Sequence, residues 1–254
     1  MFRGYNKFVE LISKTLDPSW KKILVDLSLN AQTDDEEEKK SVTEIRTMID
    51  NLVTKEYVND KSVRPSFENI FDDFKTCLPN KLSVVIMFYD KPLNPARISN
   101  IVEELYDEYK YNITSKKSRF KESYNLNDLN SQGVLITTFM LTNSSNNTNF
   151  HMELWARYML RIIKAINHEH KYLVYLLWEN RLTNVARAIK ENEFDSTKKK
   201  TDSDKRKIIS YLVLSCETMI IRNMNKFKGS NHFIITNHFL KHWYKPTIDW
   251  TCSK

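Results

Sequence analysis

The chain alternates between stretches where apolar residues recur every three or four positions and short runs that are apolar throughout. The first pattern marks helices with one buried face. Phe8, Leu11, Ile12 and Leu16 carry it near the start. Asp17-Pro18-Ser19-Trp20 reads as a helix start, and Ile23, Leu24 and Leu27 continue its apolar face. Residues 41–58 form a further amphipathic helix through Ile45, Met48, Ile49, Leu52 and Val53, so residues 1–60 make a helical N-terminal part. The charge run 34–40 before it is a solvated loop or a first helical turn.

The second pattern occurs at 82–88, 134–139, 172–178 and 208–214. Each run is rich in β-branched or aromatic residues and none alternates cleanly with polar ones. That marks strands buried on both faces. Helical patterns separate them, at 98–109, 152–166 and 180–192. Strand, helix, strand in repetition predicts an α/β fold: a four-stranded parallel sheet with helices on both faces. Ligands of such sheets meet the carboxyl ends of the strands. The informative residues are therefore those at 89–95, 139–143, 179–181 and 215–225.

Composition narrows the classes. The 254 residues are 41% hydrophobic and 28% charged, a globular balance, and are read as one domain. No stretch reaches the roughly 18 apolar residues that span a bilayer, and the first residues lack a signal-peptide run. No membrane association is expected. Three glycines, Gly4, Gly133 and Gly229, exclude a glycine-rich phosphate cradle. Cys77, Cys216 and Cys252 make neither a metal knuckle nor an even disulfide set, so a reducing intracellular compartment, nuclear or cytoplasmic, is expected, with no metal and no cofactor. The net charge of +7 permits a polyanionic partner. The segment 194–207, carrying Lys198, Lys199, Lys200, Lys205, Arg206 and Lys207, reads as an exposed basic loop. The Lys- and Asn-rich composition fits an AT-rich genome such as that of a virus or parasite.

The C-terminal stretch reads Phe227-Lys228-Gly229-Ser230-Asn231-His232-Phe233, then Thr236-Asn237, Leu240 and Ile248-Asp249-Trp250. It resembles the end of family-1 uracil-DNA glycosylases, where F-x-G-x-x-H-F, T-N and I-D-W occur at the same spacing. Further resemblances follow in family order. They are Asp17 to Leu24 to the opening helix, Arg64 to Phe74 to the segment before the first strand, Gly133 to Ile136 with Leu141-Thr142 to the second strand, and Tyr172 to Trp178 to the third. The resemblance implies the same four-stranded parallel sheet. It also implies flipping of a nucleotide into a pocket, with an aspartate, a histidine, an asparagine and a phenylalanine acting on the base and sugar.

The framework matches better than the pocket. Where the family has G-Q-D-P-Y-H, this chain has Phe88-Tyr89-Asp90-Lys91-Pro92-Leu93. The resemblance places Asp90 at the catalytic aspartate; its plain reading is a turn former before Lys91-Pro92. Pro92 stands where the family's tyrosine screens the base. The loop carrying the stacking phenylalanine is cut short at 94–98. Thr138 stands at the uracil-reading asparagine and lacks the two-pronged amide. Counting back without a gap from His232, the family's H-P-S-P-L-S falls on 217–222, which puts Glu217 at the catalytic histidine. A carboxylate there would repel charge developing on the uracil oxygen, where loss of one donor costs roughly 100- to 1000-fold. Ile220 or Ile221 could serve as an apolar wedge, and Arg222 as a phosphate contact. Glu179 replaces a phosphate-touching residue, with Arg181 beside it.

Three readings follow. The first is a glycosylase-like scaffold that has lost excision. It would act as a DNA-binding or protein-bridging subunit in replication or repair, as the poxvirus member of the family also does within a polymerase processivity factor. The second is an active, divergent glycosylase using Asp90. The third is an interaction protein with no nucleic-acid role.

Overall fold

The computed structural model describes residues 2–30, 33–90, 95–110, 124–191, 218–222, 229 and 231–252. It divides into two compact units. One comprises 1–80, 89–91 and 137–169; the other comprises 81–88, 92–136 and 170–254.

Helices dominate the first unit. Helix α1 (Arg3–Thr15) buries Phe8 and Ile12 at a four-residue spacing. Its free first-turn N–H groups at Gly4 and Tyr5 are taken by the Asp50 carboxylate at 2.7 and 3.2 Å, which ties the helix to a distant part of the chain. Asp17 caps α2 (Pro18–Lys21) by accepting from the Ser19 N–H at 2.8 Å, with proline at the favoured first position. The chain continues through a wider π turn, Lys22–Leu27. Helix α3 (Glu36–Asn51) starts inside the charge run: Asp35 caps it, and Glu36, Glu37 and Glu38 lie at its positive end. The core of this unit is aromatic. Phe8 packs edge-on to Phe71 at 5.2 Å, and Trp20 edge-on to Phe74 at 4.9 Å, while the Trp20 indole donates to the Cys77 carbonyl at 2.7 Å.

The sheet has strands β1 (Val84–Phe88), β2 (Val134–Thr138), β3 (Leu173–Leu177) and β4 (Thr218–Arg222) in the order β2-β1-β3-β4. β1 with β3 and β3 with β4 pair in parallel. The first residues of β1 and β2 meet, since the Gly133 carbonyl accepts from Ser83 and Val84 N–H. Their ends meet too, since Met140 N–H donates to the Tyr89 carbonyl at 2.8 Å. All four strands therefore run the same way. Every residue of β1, β2 and β3 is buried, which explains why these runs are apolar without alternation. Three of the four expected runs contain these strands. The fourth, 208–214, lies outside the described residues, and the fourth described strand is Thr218–Arg222.

Helix α4 (Pro95–Tyr109) follows β1, α5 (Thr148–Glu169) follows β2 and α6 (Thr183–Glu191) follows β3. Helix α7 (His232–His242) follows β4. The core of the second unit joins Ile86 and Leu176 of the sheet to Ile101 and Leu105 of α4, and to Phe233 and Leu240 of α7. Trp250 lies fully buried against Phe233 at 4.9 Å. That contact explains the use of an aromatic pair in the C-terminal motif. The two ends of the motif are also hydrogen-bonded. Asn237 donates to the Ile248 carbonyl at 2.9 Å and accepts from the Ile248 N–H at 2.8 Å.

Candidate functional site

The parallel sheet brings the carboxyl ends of its strands to one edge. In the first unit the residues that follow β1 lie beside those that follow β2. Tyr89 and Asp90 follow β1 directly, both half-buried. Tyr89 stacks on Phe139 with ring centroids 5.8 Å apart and planes at 27°. Thr138, the last residue of β2, is 2% exposed, and its hydroxyl donates to the Met140 carbonyl at 2.9 Å. The Thr138 side chain, expected at the uracil-reading position, is thus turned to its own backbone.

Behind this edge the first unit is braced. Trp155 of α5 donates its indole N–H to the Thr142 hydroxyl at 2.7 Å, and Thr142 meets His151 Nδ1 at 2.7 Å. Burial holds the His151 imidazole below its ordinary range, so it is neutral near pH 7. Its other nitrogen faces Glu56 at 3.8 Å. Arg64 and Asn143 exchange both backbone hydrogen bonds at 2.8 Å, joining the segment before β1 to the loop after β2.

In the second unit, Trp178 follows β3 and stacks nearly parallel on His232, 6.4 Å apart at 10°. His232 is 5% exposed, and burial pushes its imidazole down to about 4. It is neutral near pH 7 and packs against Trp178. Glu179 is paired with Arg181 at 3.4 Å, so the carboxylate expected to oppose a phosphate has a cation beside it.

The remaining expected residues fall as follows. Ile221, expected as a wedge, is an interior residue of β4, 8% exposed and packed in the core of the second unit. A side chain so placed cannot reach a base stack, so the wedge assignment is corrected. Arg222 ends β4 by its backbone. The gap-free count that gave Glu217 puts the family's post-strand motif onto β4 itself, whereas Leu177 and Arg222 stand in register as strand ends. Pro92, Glu217, Lys198, Lys199, Lys200, Lys205, Arg206 and Lys207 lie outside the described residues. Helix α4 begins at Pro95, five positions beyond Asp90, which leaves a short connection. Among the described residues no group of three or more His, Cys, Asp or Glu could hold a metal ion, and no helix is long and apolar enough to cross a membrane.

Sequence reasoning missed Glu104 and Glu108 of α4, whose carboxylates reach the start of α7. A signal existed: both fall on the stripe defined by Ile101 and Leu105, where a carboxylate must find partners. It also missed the Tyr89–Phe139 stack, which no local pattern announces.

The fold defines an α/β protein with one four-stranded parallel sheet. No family model matches the chain. In sequence it is similar to uracil-DNA glycosylase 1 of Listeria innocua, 23% identical over 200 residues that cover 74% of this chain and 83% of that protein. It is also similar to uracil-DNA glycosylase 1 of Bacteroides fragilis, 26% identical over 219 residues that cover 79% and 88%. In fold it is similar to a mimivirus UNG variant in complex with UGI, at a TM-score of 0.59 and 16% identity, covering 94% of this chain and 90% of that one. The mimivirus uracil-DNA glycosylase gives a TM-score of 0.54 at 15% identity. The chain is a strongly diverged, uracil-DNA glycosylase-like protein.

Proposed function

We propose that this chain is a DNA-binding protein on a uracil-DNA glycosylase scaffold that has lost uracil excision. It serves inside the cell as a DNA-binding or protein-bridging subunit of replication or repair. The observation that carries the reading is Thr138. The family reads uracil there with an amide; here a hydroxyl is buried and spent on the Met140 carbonyl. Such a site cannot form the paired donor and acceptor contact that distinguishes uracil. The +7 charge and the basic residues of 194–207 support DNA as the partner.

A second reading, an active divergent glycosylase, is favoured by Asp90, which stands at the end of β1 where the resemblance requires the catalytic carboxylate. One experiment separates the two. The purified protein and its Asp90→Asn variant are incubated with a uracil-containing single-stranded oligonucleotide, and abasic sites are scored. The binding reading expects none from either protein, with oligonucleotide affinity that falls steeply with salt. Base release by the wild type that vanishes in Asp90→Asn would establish the second reading instead.

A further inference from the structure

Helix α7 ends in a turn that glycine usually makes. The Tyr244 N–H donates to the Lys241 carbonyl at 3.1 Å, and the Lys245 N–H to the Leu240 carbonyl at 2.8 Å. That pair of bonds closes a helix through one residue with a left-handed backbone, where glycine is favoured. Here the residue is Tyr244 (φ 55°), and it is 97% exposed. Its ring strains the turn and adds nothing to the core. Next to it in the chain, the Trp243 ring packs against Tyr172 with centroids 5.6 Å apart and planes at 41°. Tyr172 is 42% exposed and also left-handed (φ 61°). Among the described residues four other than glycine have such a backbone, and two of them are these tyrosines. Bulky residues are out of place there, and backbone strain of this kind gathers at functional positions.

Cations accompany the rings. Lys245 donates its Nζ to the Lys171 carbonyl at 2.9 Å, which ties the end of α7 to the start of β3 and leaves two ammonium hydrogens for other acceptors. Lys241, in the last turn of α7, is exposed and makes no ion pair among the described residues. The carboxylate nearest Tyr172 in sequence, Glu169, is paired with Lys22. The one nearest Tyr244, Asp249, accepts from the Thr251 N–H and hydroxyl. Tyr172 immediately precedes β3, so the patch lies at the amino ends of the strands. Ligands of such sheets bind at the other edge.

Building on the reading that the chain binds DNA, we propose that this patch is a second contact for single-stranded DNA. The Tyr244 and Tyr172 rings stack on unpaired bases, and Lys241 and Lys245 meet the phosphates between them. Rings flanked by cations match both halves of a nucleotide, whereas an acidic peptide would use the cations alone. Stacking of this kind is indifferent to sequence, because every base has a face to offer. Bases within a duplex are already stacked, so the patch selects unpaired strands.

Anisotropy of a labelled oligothymidylate, titrated with the full chain at several salt concentrations, tests this. Tyr244→Gly removes the ring and suits the turn. Its affinity should fall about 5- to 150-fold, the range for one lost base stack, and by a similar factor at low and high salt. Its melting temperature should not fall, and its affinity for duplex DNA should match the wild type's. Tyr244→Phe keeps the stack and should bind the strand as the wild type does. Lys241→Gln should lower the salt slope by about 0.7. Should Tyr244→Gly not fold, Tyr244→Asn, also suited to a left-handed turn, is read in its place. Equal strand affinity of Tyr244→Gly and the wild type overturns the second contact and leaves the DNA-binding reading standing. A wild type that binds no oligonucleotide overturns both. Tyr244→Phe binding as weakly as Tyr244→Gly overturns stacking as the cause. A partner protein lost from Tyr244→Gly, with strand affinity unchanged, assigns the patch to protein and overturns the inference too.

Discussion

Thr142 shows how much one hydroxyl can hold. It accepts from the Trp155 indole and shares a hydrogen bond with Nδ1 of the neutral, buried His151 ring. The other ring nitrogen, Nε2, faces Glu56 at 3.8 Å. Thr142→Val keeps the volume and removes both hydrogen bonds, leaving two buried polar atoms unpaired. The expected loss is about 2–4 kcal/mol in urea unfolding, while Thr142→Ser should lose only about 1 kcal/mol for its missing methyl. Equal stability of the Val variant and the wild type would show that the network is idle. Asp60 shows what hydrogen bonds do to a carboxylate. Its carboxylate accepts from Ser144, from the Ser62 N–H at 2.8 Å and from Asn146 at 2.9 Å, and these hold it down at about 2 from 3.8. A depressed acid adds stability present above its unfolded value and lost as pH falls through its folded one. Asp60→Asn should therefore flatten the acid limb of the stability profile between 3.8 and about 2, measured by thermal melts. An unchanged acid limb would place the sensitivity elsewhere. At this scale the resemblance put Asp90 just after the first strand and Thr138 at the end of the second, and the structure has them there. The sequence could not show that Thr138 turns to Met140, which depends on the backbone bend after β2.

Between elements, Gly133 sets the register of the first two strands. It sits at φ 86° just before β2, and its carbonyl accepts from Ser83 at 2.9 Å and Val84 at 3.2 Å. A Cβ there would lie 2.1 Å from the Lys81 carbonyl oxygen, which is backbone and cannot move aside. Gly133→Ala carries about 1–2 kcal/mol for the left-handed conformation, and the clash adds to it. Denaturant unfolding should register a loss above that range, whereas a loss within it would mean the β1–β2 start relaxes freely. The strand runs of β1, β2 and β3 were legible because burial on both faces leaves a continuous apolar signature. β4 was not, because Thr218 to Arg222 is a five-residue run with polar ends beside a longer apolar run. The capping of α7 was illegible for a different reason. Its partners are about 125 residues apart, as the Glu104–Gly229 pair shows, and caps are sought in sequence next to the helix they serve.

For the whole molecule, charge decides between readings that the fold leaves equal. The net +7 includes six side chains in the segment 194–207: Lys198, Lys199, Lys200, Lys205, Arg206 and Lys207. Exchanging all six for glutamine takes the formal charge from +7 to +1 without touching any described strand, helix or core residue. Each phosphate contact adds roughly 0.7 to the slope of log affinity against log salt on single strands and about 0.9 on duplex DNA. A protein that grips DNA through this segment should lose several such increments at once. Its affinity should fall most at low salt and converge with the wild type at high salt. The melting temperature should stay within a few degrees, since none of the six belongs to a described strand, helix or core. Retained affinity and an unchanged slope would move the DNA contact to another surface. Loss of affinity equal at all salt concentrations would mean that the exchange damaged a shaped contact rather than an electrostatic one. The basic segment is therefore the place where the binding reading is most exposed to refutation, because its effect is electrostatic, additive and separable from folding.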